Sequence, residues 1–183
     1  MNNSSFDKFP LLSTSRLQLR SFCRNDASFL YEIRSNKEIA ESMGVKRHST
    51  VSETESFIND IDWSFKAKTG INWVICLKDK NRAIGYAGVW KIAAEHCKGE
   101  IGYALNSNYC GNGYMIEALN RLIDFSFNEL ELHRLEANVD SQNYSSIKLL
   151  KKLNFKQEAV LRDDYFLNGK FHSSMIFSKL DND

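Results

Sequence analysis

The stretch Ile101 to Asn120, IGYALNSNYCGNGYMIEALN, decides how the chain folds. Gly99 to Leu105 alternates and ends as a strand does, Ser107 to Gly113 is polar and carries two glycines, and Tyr114 opens a helical pattern. A strand, a glycine-bearing loop and a helix N-terminus in that order make an anion site, because the loop amides and the first-turn N–H groups have no intrahelical partner and point outward. Gly111 and Gly113 let the backbone approach a ligand closely, and a phosphate or pyrophosphate is the natural guest. The spacing is not that of a P-loop, since no Lys-Ser/Thr follows the second glycine. Nor is it a dinucleotide fingerprint, which needs a third.

Downstream, Ile116, Leu119, Ile123, Phe127 and Leu130 recur at helical spacing as a core stripe, and Arg134 to Val139 reads as a strand. Strand–helix–strand implies a right-handed crossover and a parallel pair, with the glycine loop at the C-terminal end of its strand, where open sheets bind ligands. Upstream, Asn72–Leu77, Ala83–Lys91 and Gly99–Leu105 form an antiparallel meander. Arg16–Phe22 is a first strand, and residues 1–15 read as a tail or a leading strand. Asn25 and Asp26 are N-cap types for a helix through Ser35, and Lys37–Met43 is a short second helix. Ser52-Glu53-Thr54-Glu55 reads as a capping box for a third, with Phe57, Ile58, Ile61 and Phe65 inward and Gly70 beyond its end. These helices, with the patternless loop 43–52, form a lid or wall over a substrate. Asn143–Leu153 is a last helix, ended by a left-handed Asn154. Lys156–Phe166 and Lys170–Lys179 are strands joined at Leu167-Asn168-Gly169, a hairpin signal.

The chain has 183 residues and a formal net charge of +1, so one domain spanning 1–183 with a real core is expected. Nothing in the charge points to nucleic acid or a membrane, and no apolar run reaches membrane length or forms a signal-peptide core, which makes the cytoplasm the default location. Cys23, Cys76, Cys97 and Cys110, and likewise His48, His96, His133 and His172, are scattered without zinc-ligand spacing, so no metal is expected and the thiols are read as free. Cys110 lies in the glycine loop, where a tolerated small side chain is the simpler reading.

Four stretches taken together, STSRLQLRSF near the start, EIGYAL at 100–105, NYCGNGYMIEAL at 108–119 and NYSSIKLLKKLNF at 143–155, resemble the GCN5-related N-acetyltransferase (GNAT) superfamily. Within it they resemble the RimJ/RimL-type branch, which acetylates N-terminal amines of ribosomal proteins. The resemblance implies the GNAT α/β fold: a twisted, mostly antiparallel mixed sheet of about seven strands with one parallel splayed pair and flanking helices. It implies acetyl-CoA as co-substrate. The family pattern Gln/Arg-x-x-Gly-x-Gly/Ala falls on Asn108 to Gly113, so the amides of Cys110, Gly111, Asn112, Gly113, Tyr114 and Met115 would hold the pyrophosphate. Asn108 departs from the usual Gln or Arg. The free backbone edge of Tyr103, Ala104 and Leu105 would pair with the pantetheine, and Asn143 and Ser146, the Asn-x-x-Ser motif, would face its sulfur.

Acetyl transfer needs a neutral amine and a proton for the leaving thiolate. An α-amine of pKa ~8 is neutralised at pH 7 for about 1 kcal/mol, a lysine amine of ~10.4 for about 4 to 5 kcal/mol. Many family members give the thiolate its proton from a tyrosine where this chain has Leu150, while the RimJ/RimL branch uses the serine of Asn-x-x-Ser, here Ser146. Glu100, on the strand leading to the acetyl site, is the candidate general base, with Asp164 as substitute and Tyr165 as a group that could hydrogen-bond the substrate. Attack would be direct, in a ternary complex, with no acyl-enzyme on Cys110. The acceptor implied is a protein N-terminus. The alternatives are a small amine (polyamine, amino acid or aminoglycoside) or, in another class, a non-catalytic acyl-CoA-binding regulatory module. An acidic pocket would favour polyamines, and Glu32, Glu38, Glu41 and Glu55 lie in the lid region among Lys and Arg. Family members are often dimers, and a homodimer is a possible assembly.

Overall fold

The computed structural model describes residues 1–80 and 82–183. Eight strands form one sheet in the order β1-β2-β3-β4-β5-β6-β8-β7: β1 Leu12–Ser13, β2 Leu17–Arg20, β3 Ile71–Leu77, β4 Arg82–Ala93, β5 Lys98–Leu105, β6 Arg134–Asp140, β7 Lys156–Leu167 and β8 Lys170–Leu180. All neighbours are antiparallel except β5 and β6, which are parallel. This is the expected mixed fold with one strand more than expected. The extra strand is β1, whose two residues are too few to show a period, and Leu12 is buried on pairing with Leu19. Phe6, ahead of it, is buried beside the ring of Phe65, 5.4 Å away.

Five helices cover the sheet: α1 Ala27–Arg34, α2 Lys37–Ser42, α3 Val51–Lys66, α4 Tyr114–Asn128 and α5 Tyr144–Lys152. β3 is buried along its whole length, which is why its sequence, INWVICL, is an almost unbroken apolar run. Ile71, Trp73, Ile75 and Leu77 pack with Ala118, Leu119, Leu122 and Phe125 of α4, while Val74 and Cys76 face Leu30 and Ile33 of α1 and Ile58 and Ile61 of α3. The sheet is therefore a middle layer with a core on each face.

Two caps differ from expectation. α3 starts at Thr50, whose hydroxyl accepts from Glu53 N–H (3.2 Å), while Glu53 Oε2 accepts from Ser49 N–H (2.7 Å). Thr50-x-x-Glu53 and Ser52-x-x-Glu55 overlap in sequence, and the earlier start turns Thr54 into the interior, where it meets His48 Nδ1 at 2.8 Å. Asp26 stands at the N-cap of α1, but its side chain makes no capping hydrogen bond to that helix. It is buried, takes two hydrogen bonds from Arg20 (2.7 and 2.8 Å) and accepts from Cys23 N–H. In the last hairpin, Asn168 (φ 50°) and Gly169 (φ 84°) are both left-handed, as a two-residue turn of this hand requires.

Candidate active site

Pairing between β5 and β6 runs from Lys98↔Arg134 to Glu100↔Glu136 and stops there, although both strands continue. Beyond Glu100 they splay, leaving the β6-facing edge of Ile101 to Leu105 without a strand partner. A cleft of ≈ 530 Å³ opens here, lined by Tyr103, Ala104 and Leu105, by Cys110, Gly111, Gly113, Tyr114 and Met115, and by Asn143 and Ser146.

The glycine loop forms one end of this cleft. A 3-10 turn over Ser107–Tyr109 consumes the amide of Cys110, which donates to Ser107 O (3.1 Å). The amides of Gly111 to Ile116 make no hydrogen bond among the described residues, and Glu117 N–H begins the helical ladder at Gly113 O (3.1 Å). The cradle thus starts one residue later than the sequence suggests: Cys110 lines the cleft with its side chain, its N–H being spent. Asn112, expected here, is outside the lining, and its carbonyl accepts from Arg16 Nη1 (3.0 Å). Gly113 has φ 76° at the helix N-cap and Gly111 φ 81°, conformations that a side chain would strain.

Glu117, in the first turn of α4, ties this cradle to the start of the sheet. It accepts from Thr14 Oγ1 (2.5 Å), Ser15 Oγ (3.0 Å), Arg16 N–H (2.9 Å) and Arg16 Nε (2.6 Å). Burial alone would raise its pKa, but these donors outweigh burial and bring it down to about 2.

At the other end, Asn143 is the N-cap of α5. Its Oδ1 accepts from Ser146 N–H (3.0 Å) and its Nδ2 donates to Ser42 O (2.8 Å), fastening α5 to α2. The Asn-x-x-Ser spacing is therefore an N-cap that sets Ser146 at the cleft. Ser146 Oγ lies 2.6 Å from Tyr103 Oη, and burial pushes the Tyr103 phenol up to about 12 although the serine bond opposes this. Sequence reading assigned Tyr103 only a backbone role. Leu150 is fully buried core.

A second cavity of ≈ 360 Å³ shares this hydroxyl pair as part of its wall. Ser42, Met43, Tyr103, Asn143 and Ser146 line both spaces. Its remaining wall includes Arg34, Phe57, Asp60, Tyr86, Trp90 and Asp140. Asp140 was not singled out in the sequence. It ends β6, is buried, and accepts from Tyr165 Oη (2.5 Å), His172 Nδ1 (3.0 Å) and Gln142 N–H (2.6 Å). A bulge between Leu161 and Tyr165, with Asp163 at φ 50°, turns Tyr165 toward it. Burial would raise the Asp140 pKa, and these donors hold it below the usual carboxylate range.

Neither expected carboxylate base lines this cavity. Glu100 accepts from Trp90 Nε1 (3.1 Å) and pairs with Lys91 Nζ (2.8 Å). Asp164 accepts from Ser174 Oγ (2.5 Å). Of the four lid glutamates, Glu38 borders the first cleft and Glu41 two further pockets, and none lines the second cavity. No cluster of three or more His, Cys, Asp or Glu among the described residues could hold a metal, and no helix among them is long and apolar enough to cross a membrane.

The mixed sheet with its splayed parallel pair, and the uncapped helix N-terminus beside it, form the scaffold of an N-acyltransferase. Residues 16–156 match the family model described as "Acetyltransferase (GNAT) domain", and the chain belongs to that family. It is an acetyl-CoA-dependent N-acyltransferase. The uncharacterized N-acetyltransferase p20 of Bacillus licheniformis is 36% identical over 170 residues, covering 92% of this chain and 95% of p20. Among solved structures, the ribosomal-protein-S5-alanine acetyltransferase of Vibrio fischeri superposes with a TM-score of 0.83 at 25% identity, covering 95% of this chain and 98% of the other. The spermidine N-acetyltransferase of Vibrio cholerae, in complex with CoA and spermine, shares the fold with a TM-score of 0.83 at 22% identity, covering 92% and 98%.

Proposed function

We propose that this enzyme acetylates an α-amine, of the kind at a protein N-terminus, by direct attack on acetyl-CoA in a ternary complex. The observation that carries this reading is the meeting of two cavities at Tyr103 and Ser146, where a thioester from one side and an amine from the other converge. The amides from Gly111 to Ile116 and the α4 dipole take the pyrophosphate, and the open edge of Tyr103 to Leu105 pairs with the pantetheine amides. The amine nitrogen bonds to the acetyl carbon and the carbon–sulfur bond breaks. Ser146 gives its proton to the leaving thiolate and takes one from Tyr103, a stronger acid than an aliphatic hydroxyl. The proton lost by the new amide leaves through water toward Asp140, the buried carboxylate of the acceptor cavity, and the phenolate recovers its own from solvent. Glu100 serves the cavity by holding Trp90, whereas Asp164 bonds Ser174, which does not line it.

The lining favours an α-amine over a polyamine, because a polyamine's several cations ask for several free carboxylates, whereas the wall offers only Asp60 and an Asp140 already taken by three donors, beside the cation of Arg34. Thiol release from acetyl-CoA, followed with a peptide N-terminus and with spermidine, tests this. The peptide is expected to be the better acceptor, with a loss of at least about tenfold in Ser146→Ala. Spermidine as the better acceptor moves the substrate class to small polyamines. Tight CoA binding without turnover of any amine leaves only the regulatory-module reading.

A further inference from the structure

Arg34, on the last turn of α1, lines the acceptor cavity and makes no salt bridge among the described residues. Its contacts are all with neutral groups. Nε donates to His48 Nε2 (3.2 Å), Nη1 reaches Tyr86 Oη (3.3 Å), and the guanidinium carbon sits 4.4 Å from the Phe57 ring centroid. His48 is kept neutral by burial and by the charge of Arg34, which push its pKa down. With Nε2 accepting, its proton sits on Nδ1 and goes to the buried Thr54 hydroxyl. Every partner therefore fixes the guanidinium in place and none neutralises it. The Nη2 donors make no hydrogen bond among the described residues. A half-buried cation with unspent donors favours an anion, and the planar fork suits a carboxylate. The two carboxylates that share the wall do not meet this need: Asp140 is occupied by Tyr165, His172 and Gln142, and Asp60, on an exposed stretch of α3, makes no contact with Arg34.

We infer that the acceptor is an amine that also carries a carboxylate, which Arg34 receives while the amine lies toward Tyr103, Ser146 and Asp140. The carboxylate belongs either to a free amino acid or to an acidic side chain near a peptide N-terminus. This inference rests on the acetyltransferase reading and narrows its substrate class. It also places a selectivity device in the lid, since Arg34, His48 and Phe57 come from α1, the 43–50 loop and α3.

Matched acceptors that differ only in the carboxylate test it: amino acids against their amides, and peptides beginning with Asp or Glu against the same peptides with Asn or Gln. With the unaltered enzyme, kcat/KM is expected to be about ten- to a hundredfold higher for the carboxylate member of the amino-acid pairs, the peptide pairs, or both, and the set that responds identifies the source. Arg34→Gln should remove that preference and leave the KM for acetyl-CoA unchanged, and Arg34→Lys should keep part of it. Calorimetry gives a readout free of turnover: the N-acetylated carboxylate product should bind the CoA complex of the unaltered enzyme and bind that of Arg34→Gln at least about tenfold more weakly. Equal kcat/KM within every pair, or a preference that survives Arg34→Gln, overturns the inference while leaving the acetyltransferase intact. Absence of turnover with every amine overturns both. Should Arg34→Gln fail to fold, the matched pairs on the unaltered enzyme and on Arg34→Lys still decide.

Discussion

The phenol oxygen of Tyr103 and the hydroxyl oxygen of Ser146 lie 2.6 Å apart, joining β5 to α5 where the cofactor cleft and the acceptor cavity meet. Tyr103 lies on the part of β5 that has splayed from β6, so the same strand geometry opens the cleft and brings these two hydroxyls to its wall. Tyr103→Phe removes the phenol and keeps the ring. It should lower kcat by about tenfold or more and change the KM for acetyl-CoA little, as expected for a group that acts as the thiolate leaves. The double variant with Ser146→Ala should be no slower than the slower single variant. Steady-state kinetics of the three proteins check this, and multiplicative losses would mean the two hydroxyls act independently.

Glu100→Gln separates positioning from proton transfer. A glutamine keeps an acceptor for Trp90 Nε1, so kcat should fall less than about threefold, whereas Asp140→Asn should cost more than about tenfold. The reverse order would return the base to Glu100. Trp90 itself is seated on Gly102, where an added Cβ would fall 1.5 Å from the indole. Gly102→Ala should therefore raise the acceptor KM through the displaced ring, measured at saturating acetyl-CoA.

The cradle depends on Gly113 being left-handed (φ 76°) at the N-cap of α4. In Gly113→Ala the left-handed form costs about 1–2 kcal/mol, so the free loop relaxes out of it and CoA binding, which must restore it, weakens by about tenfold in calorimetry. Unchanged affinity would place the pyrophosphate elsewhere.

Glu117 makes stability fall in acid. Its pKa in the folded protein, about 2, lies below the unfolded value of 4.5, so its contribution is complete above the unfolded value and is lost as pH falls toward the folded one. The melting temperature should drop between about pH 5 and about pH 2. Glu117→Gln should melt lower at neutral pH with a flatter acid limb, and an identical acid limb in both proteins would contradict the role.

Much of this architecture was legible because the period of each element is long enough to read. The α4 stripe, the buried run INWVICL and the Asn-Gly hairpin each carry a local signal. β1 fell within the stretch 1–15 read as a tail or a leading strand, its two residues being too few to decide between them, and the α3 start was not legible because two cap patterns overlap. The glycine cradle and Ser146 were visible as motifs. The hydrogen bond from the Tyr103 side chain to Ser146 was not, because the two are 43 residues apart. Asp140, Tyr165 and His172 meet only through a strand pairing and a bulge, and Arg34 is distinguished by the absence of a carboxylate neighbour, which no linear pattern records.

The most direct measurement is the site of acetylation, read by tandem mass spectrometry on a peptide that carries both a free N-terminus and a lysine, incubated with acetyl-CoA at pH 7. The α-amine, cheaper to neutralise by about 3 kcal/mol or more, should carry the acetyl group, and Ser146→Ala should lose it. Acetylation of the lysine alone, or no acetylation of this peptide or of any free amino acid by an enzyme that binds CoA tightly, would contradict the account.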